Sequence, residues 1–336
     1  MNVPFTGSNR LFSGGKTVIQ TSIGSGIRLG IDLGGSKIEI IGLDVDGREI
    51  IRHRQATPVG EYTETLTVIA AMVEKTERHL QIKASIGIGT PGAISKVDGC
   101  IKNSNSVCLN GRPLLSDLCR ILRRDIRIAN DADCFALSEA IDGSAADGNV
   151  VFGVILGTGV GAGVVANGRL LSGPNGIAGE WGHNSLPWMD KNERGFRECY
   201  CGQSACIETF LSGSGLSASH ELRFGVSKAA IDIVRGAENG DSQCKISLNE
   251  YSNRLARALA HVINILDPDV IVLGGGLSNC SILYQSVPKM WGQYVFSDRV
   301  DTRLVAPKYG DSSGARGAAW LWNQKEIENP NLAATD

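Results

Sequence analysis

The sequence has no stretch near the ~18 consecutive apolar residues that a membrane-spanning helix needs, so a soluble protein is expected. It also lacks any sustained run of one charge. Its 33 basic and 35 acidic residues alternate along the chain and leave a formal charge of -2. A domain built on phosphate contacts would show a basic stripe, so neither nucleic acid nor membrane is expected as a partner. The 42 glycines have no collagen period and cluster instead at the ends of apolar runs, where backbone can come close to a ligand. Residues 1–26 hold no acidic residue and no continuous apolar segment followed by a small-residue cleavage site. They read as a flexible extension rather than a targeting peptide. Without a secretion signal the expected location is cytoplasmic, where clustered cysteines point to metal rather than to disulfides.

What is present suggests two domains. At 336 residues the chain exceeds the length at which one core tends to divide, and a hydrophobic fraction of 42% can fill two. The expected division is 27–145 and 146–313, with a C-terminal helix at 314–323 available to complete the first unit and a polar tail over 324–336. Ile27 to Leu33 reads as a buried strand, Gly34-Gly35 as its turn, and Ile38 to Leu43 as the returning strand. A third strand spans Glu49 to Arg54, and Tyr62, Leu66, Ile69, Val73 and Leu80 then share one helical face. Strands are predicted over Ala84–Gly89 and Ile126–Ala129, the second delivering Asn130-Asp131 ahead of a helix over Ala132–Ala146. Near residue 150 the opening recurs, as Val150 to Leu156, the turn Gly157-Thr158-Gly159, and Gly161 to Ala166. The repetition predicts an α/β protein of two related halves, each with a mixed sheet and one phosphate-facing turn. A helical stripe from Tyr251 to Ile265 leads into a strand over Asp269–Leu273 and then Gly274-Gly275-Gly276, and the final helix is placed at Gly314–Trp322.

Gly34-Gly35-Ser36, Gly157-Thr158-Gly159 and Gly274-Gly275-Gly276 all follow apolar strands. Each alone is consistent with a tight turn, but three together, two of them in repeated hairpins with a hydroxyl residue, favour nucleotide phosphates. Other phosphate motifs fail. Gly14-Gly15-Lys16-Thr17 has Arg10 where a P-loop needs glycine, and the chain after Gly157 continues as a strand rather than a dinucleotide-binding helix. Asn130-Asp131 fits a helix N-cap and fits equally a carboxylate base accepting a hydroxyl proton during attack on the γ-phosphate of ATP. His183 with Cys199, Cys201 and Cys206 offers three thiolates and one imidazole, the set that closed, structural Zn2+ prefers. His53, His79, His220 and His261 have no such neighbours. A metal there would fix Glu180 and Glu208 near one another, where carboxylates accept hydrogen bonds from vicinal sugar hydroxyls; without metal both read as solvated surface residues.

Taken in order, Asp32-Leu-Gly-Gly-Ser-Lys37, Gly89-Thr-Pro-Gly92, Ala129-Asn-Asp-Ala132, Gly157-Thr-Gly159, Gly179-Glu-Trp-Gly-His183, the Cys199/Cys201/Cys206 set ending in Ile207-Glu208, and Gly274-Gly-Gly276 resemble the ROK sugar kinases. The resemblance runs from about Ile27 to Trp322. It implies an actin-like ATPase (ribonuclease H-like) fold closing on ATP and a hexose, and a homodimer. By motif, Asp131 would be the base, and Asn130, Glu180, His183 and Glu208, with Gly92, would meet the sugar. Asp32, Gly34, Gly35 and Ser36 would meet the phosphates and hydrated Mg2+, joined by Gly157, Thr158 and Gly159, with Gly275 and Gly276 near the adenosine. His183 would serve zinc through one ring nitrogen while the other faces the sugar. Leu109-Asn-Gly111, Ala178 to Trp188 and Gly310 to Gly314 look most like the manno(fructo)kinase-type fructokinases, which implies transfer to the 6-hydroxyl of fructose, with mannose, glucose and N-acetylhexosamines as alternatives. Some family members are sugar-sensing regulators with a helix-turn-helix module, for which 26 residues are too few. Three features depart from the family pattern: Ser36 replaces Thr, Asp133 replaces Asn, and the 26-residue extension has no counterpart. Asp133 either faces the cleft, where like charge would raise the pKa of the pair, or turns into the helix's first turn and favours its dipole.

Overall fold

Short apolar strands and tight turns build the first half of the chain. The computed structural model describes residues 26–193 and 197–328. It opens with β1 (Arg28–Leu33), β2 (Lys37–Leu43) and β3 (Glu49–Ala56), which pair antiparallel. β1 and β2 are buried almost throughout, whereas β3 is a charged edge. There Arg52 and Arg54 reach the buried Glu39 of β2 at 2.6 and 2.9 Å, charges that blunt an exposed strand edge. Helix α1 (Tyr62–Leu80) buries Leu66, Ile69, Met72 and Val73 against this sheet and stops at Gln81 in the left-handed region. β4 (Ser85–Thr90) joins β1 in parallel, a small hairpin of β5 (Ala93–Ile94) and β6 (Ile101–Lys102) follows, and α2 (Leu114–Leu122) leads to β7 (Arg127–Asn130), parallel to β4.

The second half repeats this order. After α3 (Asp131–Ile141) come β8 (Val150–Leu156), β9 (Val160–Ala166) and β10 (Arg169–Leu170), all antiparallel neighbours. Helices α4 (Glu208–Leu211), α5 (Gly213–Phe224), α6 (Ala230–Glu238) and α7 (Ser242–Leu266) precede β11 (Val270–Gly274), which lies parallel to β8. Then follow α8 (Ser281–Trp291), β12 (Arg303–Val305) parallel to β11, α9 (Ser313–Trp320) and α10 (Gln324–Glu328). The sheet orders are β3-β2-β1-β4-β7 and β10-β9-β8-β11-β12, two mixed sheets of one topology. None of the described helices is long and apolar enough to cross a membrane.

Two differences from expectation have local causes. The helix expected to reach Ala146 ends at Ile141, because Gly143 and Ser144 fold back and the buried carboxylate of Glu139 accepts the Ser144 N–H at 2.9 Å and the Ser313 hydroxyl at 2.8 Å. The polar tail expected from residue 324 begins instead as α10, because Glu326 pairs with Arg127 at 2.7 Å and accepts the Asn323 N–H at 3.0 Å. The extension at 1–25 and the tail beyond 328 lie outside the described residues.

The C-terminal segment is stapled to the first sheet. Buried Arg28 of β1 donates to the carbonyl of Trp322 at 3.1 Å and lies over the Trp320 ring, Arg127 of β7 lies over the Trp322 ring, and the Trp322 indole donates to the carbonyl of Ile86 at 2.7 Å. α9 thereby packs on β1 and β4, while α3 packs on β8 and β9, and the two helices cross each other between the sheets. That crossing is backbone on backbone. A methyl at Gly317 would lie 1.6 Å from the carbonyl oxygen of Cys134, so only glycine fits. Gly317→Ala therefore destabilises the protein by more than about 3 kcal/mol in urea unfolding, despite alanine's helix preference of about 1 kcal/mol. A neutral or stabilising result would show that the crossing can open at little cost.

Candidate active site

Three strand ends and two irregular segments converge on one cleft. Pro91 and Gly92 leave the carboxyl end of β4, Asn130 ends β7, Asp131 opens α3, and Gly157, Thr158 and Gly159 turn β8 into β9. Glu180 and His183 bound a single helical turn, and Glu208 opens α4. Together with Asn103, Asn105 and Tyr200 they line a cleft of 590 Å3. Asn130 does cap α3: its Oδ1 accepts the Ala132 N–H at 2.9 Å, while its Nδ2 donates to the carbonyl of Gly92 at 2.9 Å. The cap thus ties the ends of β4 and β7 together and holds Asp131 at the mouth. Asp131 Oδ1 also accepts the Ala132 N–H, at 2.8 Å. Burial pushes its carboxyl above the ordinary value, the Ala132 amide opposes this, and the charge of Glu180 adds to it. A carboxylate so placed is a stronger proton acceptor than a solvated one.

Glu208 is fixed from two sides. Its Oε2 accepts the Val160 N–H at 2.9 Å, and its Oε1 lies 4.0 Å from Cys199 Sγ. A second cavity of 570 Å3 begins where the first ends, sharing Gly157 and Thr158. Its walls are Ala230, Ile231, Val234 and Leu277, with Arg235, Glu238 and Gly276 at polar positions. Gly275 beside it has φ +76°, and a methyl there would come within 2.5 Å of the Leu156 carbonyl oxygen, so glycine lets β11 leave the sheet against the end of β8. Asp32, Gly34, Gly35 and Ser36 line neither cavity. Gly34, Gly35 and Ser36 form the β1–β2 turn, closed by the Gly34 N–H on the carbonyl of Lys37 at 3.0 Å, while Asp32 sits near the end of β1 against Gly314 of α9.

The four soft donors also meet. The ligand atoms of His183, Cys199, Cys201 and Cys206 all lie within 4.8 Å of one another. Cys199 Sγ stands 3.5 Å from His183 Nδ1, and Cys201 Sγ 3.6 Å from Cys206 Sγ. A tetrahedron with zinc–sulfur bonds of ~2.3 Å has edges of ~3.8 Å, so the donor set fits that metal in chemistry and in size. With Nδ1 turned toward the thiols, Nε2 is left facing the cleft, 3.0 Å from the Tyr200 hydroxyl. Burial and the charges of Glu208 and Glu180 push that hydroxyl up to about 12, so it keeps its proton.

A family model described as ROK family matches residues 28–325. The chain belongs to the ROK family. Over 296 residues it is 37% identical to the N-acetyl-D-glucosamine kinase of Vibrio cholerae, a match covering 87% of this chain and 98% of that protein. The crystal structure of a ROK hexokinase from Thermus thermophilus superposes with a TM-score of 0.80 at 26% identity, covering 90% of this chain and 99% of the other. A ROK family glucokinase from Streptomyces griseus, solved with glucose and AMPPNP, matches at a TM-score of 0.71 and 23% identity over 88% and 99% of the two chains, a likeness of fold alone. The ROK chain accordingly has the actin-like ATPase fold, as its two equivalent sheets indicate.

Within this ROK site, sequence spacing did not point to Asn103, Asn105, Tyr200 or the α6 wall. Asn103 has φ +57°, a conformation asparagine tolerates, and that preference is the one local signal available for it. Asp133, the family departure, is half-buried in the first turn of α3 and does not line the cleft; one of its carboxylate oxygens is buried and has no hydrogen-bond partner among the described residues. Although it lies in the helix's first turn, burial first, then the charges of Glu180 and Asp131, push it up to about 7. An acid with a higher pKa folded than unfolded binds its proton more tightly in the native state. Its ionisation then costs stability as pH rises from about 4 through about 7, and the cost is complete above that. Asp133→Asn should therefore gain thermal stability relative to wild type as pH is raised from about 5 to about 8, by up to a few kcal/mol. A difference that stays constant with pH would mean that Asp133 titrates normally.

Proposed function

We propose that this ROK sugar kinase transfers the γ-phosphate of ATP to the 6-hydroxyl of N-acetyl-D-glucosamine, with Asp131 as general base. The observation that carries the reading is the joined pair of cavities: a carboxylate-lined cleft that opens through Gly157 and Thr158 onto an apolar one. In the polar cleft Asn130, Glu180, Glu208 and His183 Nε2 hold sugar hydroxyls, with Gly92 alongside, and leave the 6-hydroxyl at Asp131. The carboxylate takes the hydroxyl proton as the oxygen attacks the γ-phosphorus, the bond to the β-phosphate bridging oxygen breaks, and ADP leaves. The adenosine lies against Ile231, Val234 and Leu277, beside Gly275 and Gly276. Asp32, a hard oxygen donor, suits Mg2+ with its water shell, and Gly34, Gly35 and Ser36 approach the phosphates as the halves close. Zinc held by His183, Cys199, Cys201 and Cys206 would supply a fixed crosslink rather than a reactive centre.

The choice of sugar rests on the relatives. The Vibrio cholerae protein, matched over nearly its whole length, is named for N-acetyl-D-glucosamine, whereas the fructose expectation rests on short motifs and gains no support from it. A pocket built to hydrogen-bond a particular substituent rejects sugars lacking it by orders of magnitude, so the choice is measurable. ADP release from Mg2+-ATP is expected to be fastest with N-acetyl-D-glucosamine when fructose, mannose and glucose are run beside it. A clear preference for fructose would keep the mechanism and change the substrate. Asp131→Asn should bind sugar as wild type does and lose ~10²–10⁴ of turnover. Retention of more than about a tenth of the rate would remove Asp131 from the role. Metal analysis should find about one zinc per chain, lowered by Cys201→Ser together with thermal stability; full zinc retention in that variant would refute the four-ligand assignment.

A further inference from the structure

Tyr200 sits between two of the thiol ligands, Cys199 and Cys201, and is 72% exposed. Its hydrogen bond and its ring contact are both to one partner. The hydroxyl lies 3.0 Å from His183 Nε2, and the two rings meet edge to face at 5.1 Å between centroids. The same ring borders three cavities: the sugar cleft, a 510 Å3 cavity over Arg197 and Thr209, and a 580 Å3 cavity otherwise lined by residues 95–111 of the first half. The flanking cysteines hold the backbone, while the side chain has open space on either side into which its χ angles can turn it.

A neutral imidazole carries one N–H. With Nδ1 bound to the zinc proposed above, the proton is on Nε2, and one good hydrogen bond is all that this nitrogen can donate. Tyr200 therefore holds the donor that a sugar hydroxyl needs. We propose that Tyr200 is an exchangeable occupant of the sugar site: its hydroxyl accepts the His183 Nε2–H while the cleft is empty of sugar, and a sugar hydroxyl replaces it on binding. This rests on the reading that His183 Nε2 faces the sugar. The exchange leaves the donor satisfied in both states, so the imidazole keeps its tautomer and orientation between turnovers, and the cost is affinity, since each sugar must displace the tyrosine.

Removing the hydroxyl removes the competitor. Tyr200→Phe is expected to bind N-acetyl-D-glucosamine about fivefold more tightly by calorimetry without nucleotide, the effect of one net hydrogen bond, with zinc content unchanged. Selective 15N-histidine labelling gives the second readout. The Nε2 resonance of His183 should differ between wild type and Tyr200→Phe in the sugar-free protein and coincide once both are saturated with N-acetyl-D-glucosamine. Equal or weaker sugar binding by the variant, or resonances that stay apart at saturation, overturns the exchange. If wild type binds none of the four sugars, the function reading falls and takes the exchange with it; a sugar whose affinity ignores Tyr200→Phe overturns the exchange alone.

Discussion

The close crossing of α3 and α9 is the constraint on which the rest of the molecule depends. Each helix belongs to one sheet by packing, α9 to the first and α3 to the second, so the relative placement of the halves is set where their backbones touch at Gly317 and Cys134. Asp131 is the first residue of α3 and Asp32 abuts the first turn of α9. Acidic groups of both halves are thus referred to the same contact. A crossing cushioned by larger side chains would leave an interface able to repack in more than one way; backbone contact without a Cβ between leaves little such freedom.

The segment that carries the four soft donors is ordered by other means. Among the described residues from Leu171 to Ile207 there is almost no regular secondary structure, yet this stretch supplies Glu180 and His183 and leads directly into Glu208. An irregular segment of that length is costly to order by packing alone. Here the backbone bridge between Ser185 and Cys206, and the hydrogen bond from the Ile207 N–H to the Asn184 carbonyl at 2.8 Å, tie its end back to its middle beside His183, Cys199, Cys201 and Cys206. Glu180 and Glu208 stand just outside the two strands of this tie.

Much of the fold was legible because the strands are apolar runs closed by glycine turns: Val150–Leu156 was read with its observed boundaries, and the repeated hairpin announced two sheets of one order. The residues singled out by spacing, among them Asn130, Asp131, Glu180, His183 and Glu208, do meet in one cleft. What was hidden depends on contacts between distant segments. Tyr200 and Asn103 become neighbours of that cleft only through the way the halves face each other, the α6 wall depends on how that helix packs against α5 and α7, and α10 exists because Arg127, two hundred residues earlier, waits for Glu326. Asp133 was readable as a departure, but its surroundings were not: a residue two places after Asp131 can face the cleft or the solvent, and only the packing of β9 decides.

The stapling of Trp320 and Trp322 onto Arg28 and Arg127 bears on the order in which the polypeptide can mature. On the ribosome β1 emerges before the second half, yet one face of its sheet waits for a helix translated after that entire half. The second half contains all of its own strands, whereas the first sheet keeps apolar surface uncovered until residues 313–322 clear the exit tunnel. A nascent chain halted before that point would leave both the first sheet and α3 without the helix that covers them, which makes α9 the piece that joins the two halves.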